Sequence, residues 1–351
     1  MSDAYAASGV DTAAADRGVA ALVAVLRTIQ TGRASRVVPL PGHFAAVLEV
    51  APNLGIAVGT DGVGSKLIVA EATGRLDTVG IDCVAMNVND VVCVGAEPIA
   101  LLDYLAVERV DADAMRAIGE GLKRGAELAG VEIPGGEVAV LPEIIRGHPS
   151  PRGFDLTAAC VGTVALDAIV SGAACAPGDA VIGLPSSGLH SNGFSLARRA
   201  LRELALDDRP PALGGATLAD VLLEPTVIYV RAVLELLRSG LPVHGLAHIT
   251  GGGLLNLTRL NAHVGFDISD PLPVPPIVDL VRELGNVPEA ELWEVFNMGC
   301  GFCAVVPAAA AEDAVAVLAE RHPGTRRIGT VTDRAGRVQA PGYTSSSPLD
   351  G

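Results

Sequence analysis

Lysine is almost missing from this chain. Its 351 residues carry 25 basic side chains against 40 acidic ones, a formal charge of −15, and only Lys66 and Lys123 are lysines. Basic residues come at most in pairs, such as Arg198-Arg199 and Arg326-Arg327. Nucleic-acid backbones are gripped by clustered Lys and Arg, so no nucleic-acid partner is expected. Aromatic residues make up 3 % of the chain, which leaves nothing to interleave with basic side chains as a stacking surface. No apolar run reaches the roughly 20 residues that span a bilayer, because charges such as Asp167 break the longest ones, so no membrane partner is expected. No basic segment followed by a hydrophobic core opens the chain. Six cysteines (83, 93, 160, 175, 300 and 303) are scattered through apolar stretches and read as small buried hydrophobes in a reducing compartment. Cys300-Gly-Phe-Cys303 has CxxC spacing without a second pair, which argues against a metal or redox role. The expectation is a soluble, cytoplasmic protein.

What is present suits layered α/β packing. Half the residues are apolar, with Ala, Val, Leu and Gly dominant, and the length favours two domains. A boundary near residues 165–176 gives an N-terminal domain 1–168, a C-terminal α/β domain 169–345 and a flexible tail 346–351. Helical spacing is expected over 12–30, from Gly80 to Leu102, within which Pro98 precedes the next strand, and over 113–129, the last punctuated by Pro134-Gly-Gly136. Strands are expected at 56–59, 100–107 and 156–166. The second half alternates again. Strands are expected at 179–184, 243–249 and 295–306, and helices after Gly193, over 226–238 and over 310–319. From Ala335 onward the Gly-, Pro- and Ser-rich tail is expected to fray.

Four segments carry chemistry. Gly59-Thr60-Asp61-Gly62-Val63-Gly64-Ser65-Lys66 reads as a turn between a strand and a helix, where glycine lets the backbone approach a phosphate. Its spacing is neither Walker A nor GxGxxG; the bland alternative is a tight structural turn. In the apolar helix after Gly80, Asn87 and Asp90 share a face, and Asp82 lies within about 80° of Asp90 at roughly 100° per residue. A carboxylate in such company needs a partner or a metal, although Asp82 also reads as a cap or a solvated acid. With Glu137, Asp61 and Asp90 are candidate Mg²⁺ ligands against ATP phosphates. Ser187-Gly188-Leu189-His190-Ser191-Asn192-Gly193 places a histidine between glycines and hydroxyls, a general acid/base or orienting candidate. Thr250-Gly251-Gly252-Gly253 offers a second phosphate nest; His244 and His248 before it read equally as packing residues.

Taken in order, these stretches resemble the phosphoribosylformylglycinamidine cyclo-ligase (aminoimidazole ribonucleotide synthetase) family, archaeal-like branch. The likeness covers most of residues 8–306. It also includes Gly9-Val-Asp11, Asp77–Asp82, Ala85–Asp90, Gly95-Ala-Glu-Pro98, Phe154-Asp155, Glu224-Pro-Thr226 with Tyr229, and Phe296-Asn-Met-Gly299. The resemblance implies two α/β domains, the first contributing strands to a β-barrel in a homodimer. It implies ATP- and Mg²⁺-dependent ring closure of formylglycinamidine ribonucleotide in purine biosynthesis, with ADP and phosphate released. Carried over, Gly59–Gly62, Gly64, Ser65, Lys66, Asp82 and Asn87 face ATP, and His190, Asp90 and Glu137 are catalytic. Ser187, Gly188, His190–Gly193, Thr250, Gly251 and Gly252 face the substrate, and Asp61, Asp90 and Glu137 the metal. Four departures stand out. Val138 follows Glu137 where the family has Thr, and Ser65 replaces Thr. Pro41-Gly-His43-Phe replaces a Gly-Gly-Phe-type loop. The second-helix Lys of bacterial members has no counterpart, leaving Arg27 or Arg33. The alternatives are a divergent paralogue, either a thiamine-monophosphate-kinase-like phosphotransferase or a non-catalytic ATP-binding protein.

Overall fold

The computed structural model describes residues 12–346; Gly9-Val-Asp11 and residues 347–351 of the expected tail lie outside the described residues. A first sheet has six strands: β1 (Val37–Val38), β2 (Ala46–Ala51), β3 (Leu54–Gly62), β4 (Glu97–Val107), β5 (Glu132–Val140) and β6 (Phe154–Val164). Their spatial order is β1-β2-β3-β6-β4-β5. All neighbours are antiparallel except β4 and β5. Four helices accompany these strands: α1 (Thr12–Leu26), α2 (Leu67–Thr73), α3 (Val79–Val92) and α4 (Ala112–Ala129). A parallel pair needs a crossover, and α4 supplies it between β4 and β5.

Helix α3 is the spine of this half. Every residue from Val79 to Val92 is buried except Asp90, which explains an apolar pattern with no polar face. One side lies on the sheet, where a side chain at Gly162 would strike Val91. The other side meets α4 through glycines: a Cβ on Gly80 would stand 2.2 Å from the backbone nitrogen of Leu122. Helix α4 is capped by Asp111, which accepts from the N–H groups of Asp113 and Ala114, and it ends at Gly130 with φ +78°.

The second sheet has seven strands: β7 (Ala180–Pro185), β8 (Gly245–His248), β9 (Gly265–Asp267), β10 (Cys300–Val306), β11 (Arg326–Thr332), β12 (Arg337–Ala340) and β13 (Tyr343–Ser346). The order is β13-β12-β9-β11-β7-β10-β8. Six helices belong with it: α5 (Phe194–Ala200), α6 (Leu218–Leu222), α7 (Val230–Arg238), α8 (Pro276–Gly285), α9 (Glu289–Val295) and α10 (Ala311–Ala319). Strand β10 is buried along its whole length, as expected of an inner strand covered on both faces. Its Cys300 and Cys303 sulfurs are 3.5 Å apart in the core.

Four expectations needed correction. Pro98 is the second residue of β4 rather than its preface, and Pro134-Gly-Gly136 lies inside β5 rather than in a turn. Proline is tolerated at a strand start and on an edge strand, where no ladder donor is missed. Val295 ends a helix, so the following strand starts at Cys300. The sequence after Ala335 does not fray through residue 346; β12 and β13 pair, and buried Tyr343 stacks on Trp293 at 5.9 Å.

The α3–α4 contact makes a direct prediction. Gly80→Ala should cost about 1–3 kcal/mol through overpacking, seen as a lower urea midpoint with an unchanged slope. An unaltered midpoint would mean that the two helices separate freely.

Candidate functional site

Strand β3 runs through Gly59 to Gly62, so the Gly-rich segment is a strand end followed by a single 3-10 turn, Gly64–Lys66. Gly64 has φ +73°. The helix that follows, α2, is only seven residues long. Asn87 on α3 pins the strand end: its Oδ1 accepts from Asp61 N–H at 3.0 Å, and its Nδ2 donates to the Asp61 carbonyl at 3.0 Å. Asn87 is buried and braces the segment from below. Thr60 is exposed and donates its hydroxyl to the Ala158 carbonyl. Ser65 lies 3.3 Å from the Ser195 hydroxyl.

Lys66 does not face solvent. Its side chain is 0 % exposed, and its ammonium lies 2.9 Å from each Asp82 oxygen. It also donates to the carbonyls of Glu224 at 2.7 Å and His190 at 3.1 Å. Asp82 in turn accepts from Thr226 N–H and Thr226 Oγ1, both at 2.7 Å, and from Ser191 Oγ at 3.2 Å. Lys66 and Asp82 come from the first sheet's layer, and their partners from loops of the second. Two of the residues expected to touch ATP, Lys66 and Asp82, therefore form a buried ion pair between the layers. Burial, the largest influence, holds the Lys66 pKa below its ordinary value against the pull of Asp82.

His190 belongs to the same seam. It is buried with φ +61°, its Nε2 accepts from Ser187 N–H at 3.2 Å, and its Nδ1 has no partner. Burial, then the charges of His248 and Lys66, pushes its pKa far down. A neutral imidazole without solvent access orients the loop rather than carrying protons. Asn297 braces that loop from the far side, donating to Gly188 O at 2.8 Å and accepting from Ser186 Oγ at 3.0 Å. A Cβ on Gly251 would lie 3.3 Å from Asn192 Oδ1, so the Ser187–Gly193 and Thr250–Gly253 loops stand side by side. Ser187 and Gly251 are exposed, and Asn192, Gly193, Thr250 and Gly252 are half-buried. Gly252 (φ +95°) and Gly253 (φ +53°) need the left-handed conformation that glycine permits.

The open polar groups gather elsewhere, around Asp90. His248 ends β8 fully buried, and its Nδ1 lies 2.8 Å from Asp90 Oδ1, while the Asp90 side chain is 21 % exposed. Its other nitrogen lies 3.5 Å from the Asn89 amide nitrogen, a donor, so the network assigns the proton to Nδ1. Asn89 is itself held by Val227 O and Tyr229 N–H. Asp61 feels the charge of both Asp90 and His248, and burial first, then Asp90, raises its pKa. Asp61, Ala158 and Asp103 stand in register across β3, β6 and β4, followed by Gly136 on β5. Registered residues share a face, so Asp61 and Asp103 both project toward α3 with only an alanine between them. Burial raises the Asp103 pKa as well.

Glu137 is not part of this cluster. It is exposed in β5, in register with Tyr104 on the opposite face, and its Oε1 accepts from Val138 N–H. Among the described residues no three Asp, Glu, His or Cys side chains converge to hold a metal ion by themselves. Asp61, Asp90 and Glu137 are thus not a preformed ligand trio. Asn89, Asp103, Thr226 and Asn297 were not singled out from sequence, although a lone acid between Leu102 and Tyr104 in an apolar strand was a signal for Asp103.

Comparison with known proteins places this geometry. Residues 42–164 match the family described as AIR synthase related protein, N-terminal domain, and residues 176–340 its C-terminal domain. A phosphoribosylformylglycinamidine cyclo-ligase of Methanothermobacter thermautotrophicus is 47 % identical over 347 residues, 98 % of each chain. Its counterpart in Thermococcus kodakarensis is 45 % identical over 95 % of this chain and 96 % of that one. Among solved structures, hydrogenase maturation protein HypE shares the fold at 23 % identity, with a TM-score of 0.62 over 90 % of this chain and 95 % of that one. Thiamine-monophosphate kinase from Stenotrophomonas maltophilia does so at 22 % and 0.59, over 90 % and 94 %.

The seam yields the second prediction. Lys66→Met leaves Asp82 buried without its counter-charge and should cost about 3–5 kcal/mol. Calorimetry would read it as a lower Tm; an unchanged Tm would show that Asp82 finds another cation.

Proposed function

The chain belongs to the AIR synthase related family, and from that premise we propose that it closes the imidazole ring of formylglycinamidine ribonucleotide. The product is aminoimidazole ribonucleotide, and ATP leaves as ADP and phosphate. Relatives 41–47 % identical over most of their length bear the cyclo-ligase name. They favour this reading over a phosphotransferase or a silent ATP-binding protein, since a shared fold alone does not carry function.

The observation that carries the reading to a place in the molecule is the Asp90–His248 pair at 2.8 Å. His248, buried and donating from Nδ1, fixes one carboxylate oxygen of a side chain that is still 21 % exposed. Asp90 is then the base that takes the proton from the ring-closing nitrogen. The glycine backbone of Thr250–Gly253 and the exposed stretch at Thr60 and Gly64 offer N–H groups to phosphates. His190 shapes the Ser187–Gly193 loop against the substrate.

Mg²⁺ fits Asp61, which feels the Asp90 charge. Burial and the Asp90 charge disfavour the ionised Asp61 carboxylate, and the lysine of the same segment, Lys66, is committed to Asp82. Mg²⁺ is commonly held by one or two carboxylates with phosphates and waters completing the shell, and there it would neutralise triphosphate charge.

We place the protein in the cytoplasm as a homodimer, with an N-terminal domain 1–168 and a C-terminal domain 169–345. The first sheet curls as half a barrel, and Ile99, Leu102, Tyr104, Val138 and Val140 on β4 and β5 are 39–50 % exposed. A second copy pairing half-barrel to half-barrel covers Leu102 and Tyr104, and Glu137 in register with Tyr104, while Val138 and Val140 face the α3 side.

Two outcomes test this reading. With Mg·ATP the purified protein should form aminoimidazole ribonucleotide, and Asp90→Asn should lower kcat/KM by about 10²-fold or more; absence of product rejects the activity. Leu102→Glu should convert the dimer to a monomer in light scattering, and a dimer that survives it uses another face.

A further inference from the structure

His43 sits in the loop Pro41-Gly42-His43-Phe44, just before β2, and is 9 % exposed. Its Nδ1 accepts from the Phe44 N–H at 3.0 Å. In a neutral ring that leaves Nε2 as the protonated nitrogen. This Nε2 is buried and has no hydrogen-bond partner. An unpaired buried donor costs about 1–3 kcal/mol, and native proteins keep few of them.

The loop does not hold this position by itself. Arg259, at the end of the turn that begins at Gly253, donates from Nε to Gly42 O at 2.7 Å and from Nη2 to His43 O at 3.1 Å. Its guanidinium also stacks 4.1 Å over the Phe44 ring. The segment that carries the Thr250–Gly253 nest thus fixes the His43 backbone directly. His43 feels the Asp90 charge, yet no hydrogen bond joins the two, and Asp90 Oδ1 is taken by His248. Burial, then the Arg259 charge, pushes the His43 pKa down to about 4, so the ring is a neutral donor at working pH.

We propose that His43 is a substrate-contacting residue whose Nε2–H donates a hydrogen bond to a neutral carbonyl-type oxygen of the substrate bound beside Asp90. The inference rests on the ring-closure reading above. Its acceptor follows from charge. The Arg259 and Asp90 charges act on His43 in opposite senses, and the Arg259 guanidinium is spent on two backbone carbonyls and the Phe44 ring, so the uncharged N–H suits an uncharged oxygen better than a phosphate. The contact selects for a substrate that carries an amide or formyl oxygen at that point, since a ligand without it leaves the donor buried and unpaired.

Two variants separate the donor from the fold. His43→Asn keeps an acceptor for the Phe44 N–H but has no atom at Nε2. His43→Gln returns an N–H near that position. Substrate binding without ATP is measured by calorimetry, and steady-state kinetics are measured for substrate and ATP separately. His43→Asn should weaken substrate binding about 3- to 10-fold, leave the KM for ATP unchanged and keep the wild-type Tm, while His43→Gln recovers most of the loss. The proposal is overturned if His43→Asn binds substrate as wild type does, if the defect falls on ATP, or if His43→Gln is no better than His43→Asn. Wild type that fails to bind formylglycinamidine ribonucleotide defeats the ring-closure reading itself, and the proposal with it.

Discussion

Lys66 reaches from the end of the first sheet into the seam between the two layers, where one ammonium meets Asp82 and two carbonyls from loops of the second half. An ammonium has three donors on a compact head, and this site provides acceptors in three directions. Guanidinium, planar and broader, does not fit such a pocket. In a chain that has turned nearly all its basic residues into arginine, that geometry explains why a lysine survives here. The pair is a weak argument for raw stability, because desolvating both charges offsets much of their attraction. Its effect is specificity. The seam closes correctly only when the Glu224 and His190 carbonyls and the Thr226 and Ser191 hydroxyls all arrive together.

The rest of the site depends on that closure. Helix α3 presents Asp82 to the seam and, two turns later, Asn89 and Asp90 to β8. Asn89 takes the Tyr229 N–H and Val227 carbonyl just beyond Thr226, so the same docking brings His248 to Asp90. One buried helix therefore sets two polar junctions, a closed one that locks the halves and a half-open one where chemistry can occur. The glycines at positions 80 and 121 belong to the same design, since α3 lies close to α4 on one side and to the sheet on the other.

Much of this was legible in residue order. The elements around α3, α4, β6 and β7 follow from apolar periodicity, and Asp90 was marked by its isolation in an apolar helix. Periodicity could not say which of the acids on α3 would be sealed. Asp82 and Asp90 are eight residues apart on one helix, yet only Asp90 stays partly exposed, and that difference is a tertiary fact. Nor could it place Glu137. Gly135-Gly136 looks like a turn, but Gly136 is small because Asp103 stands beside it across the strand pair, where a Cβ would come within 2.3 Å of the carboxylate. The strand pairing that explains the glycine also turns Glu137 to the other face.

That reversal changes how the departures from the family pattern should be weighed. Val138 in place of threonine drew attention because Glu137 was expected at the metal, but Glu137 is turned to the other face of the edge strand, whereas Val138, in register with Leu105, lies on the face that Gly136 and Asp103 share. A lost hydroxyl at Val138 therefore bears on the face that carries Asp103, not on Glu137. The His43 loop is a second case. It was a minor variation in sequence, and folding buries its imidazole within range of the Asp90 charge, with an unpaired donor and an arginine from the phosphate-nest segment bolting its backbone in place. A substitution matters through the face on which the fold puts it, and here the fold keeps Val138 on the Asp103 side and brings His43 to the Asp90 side.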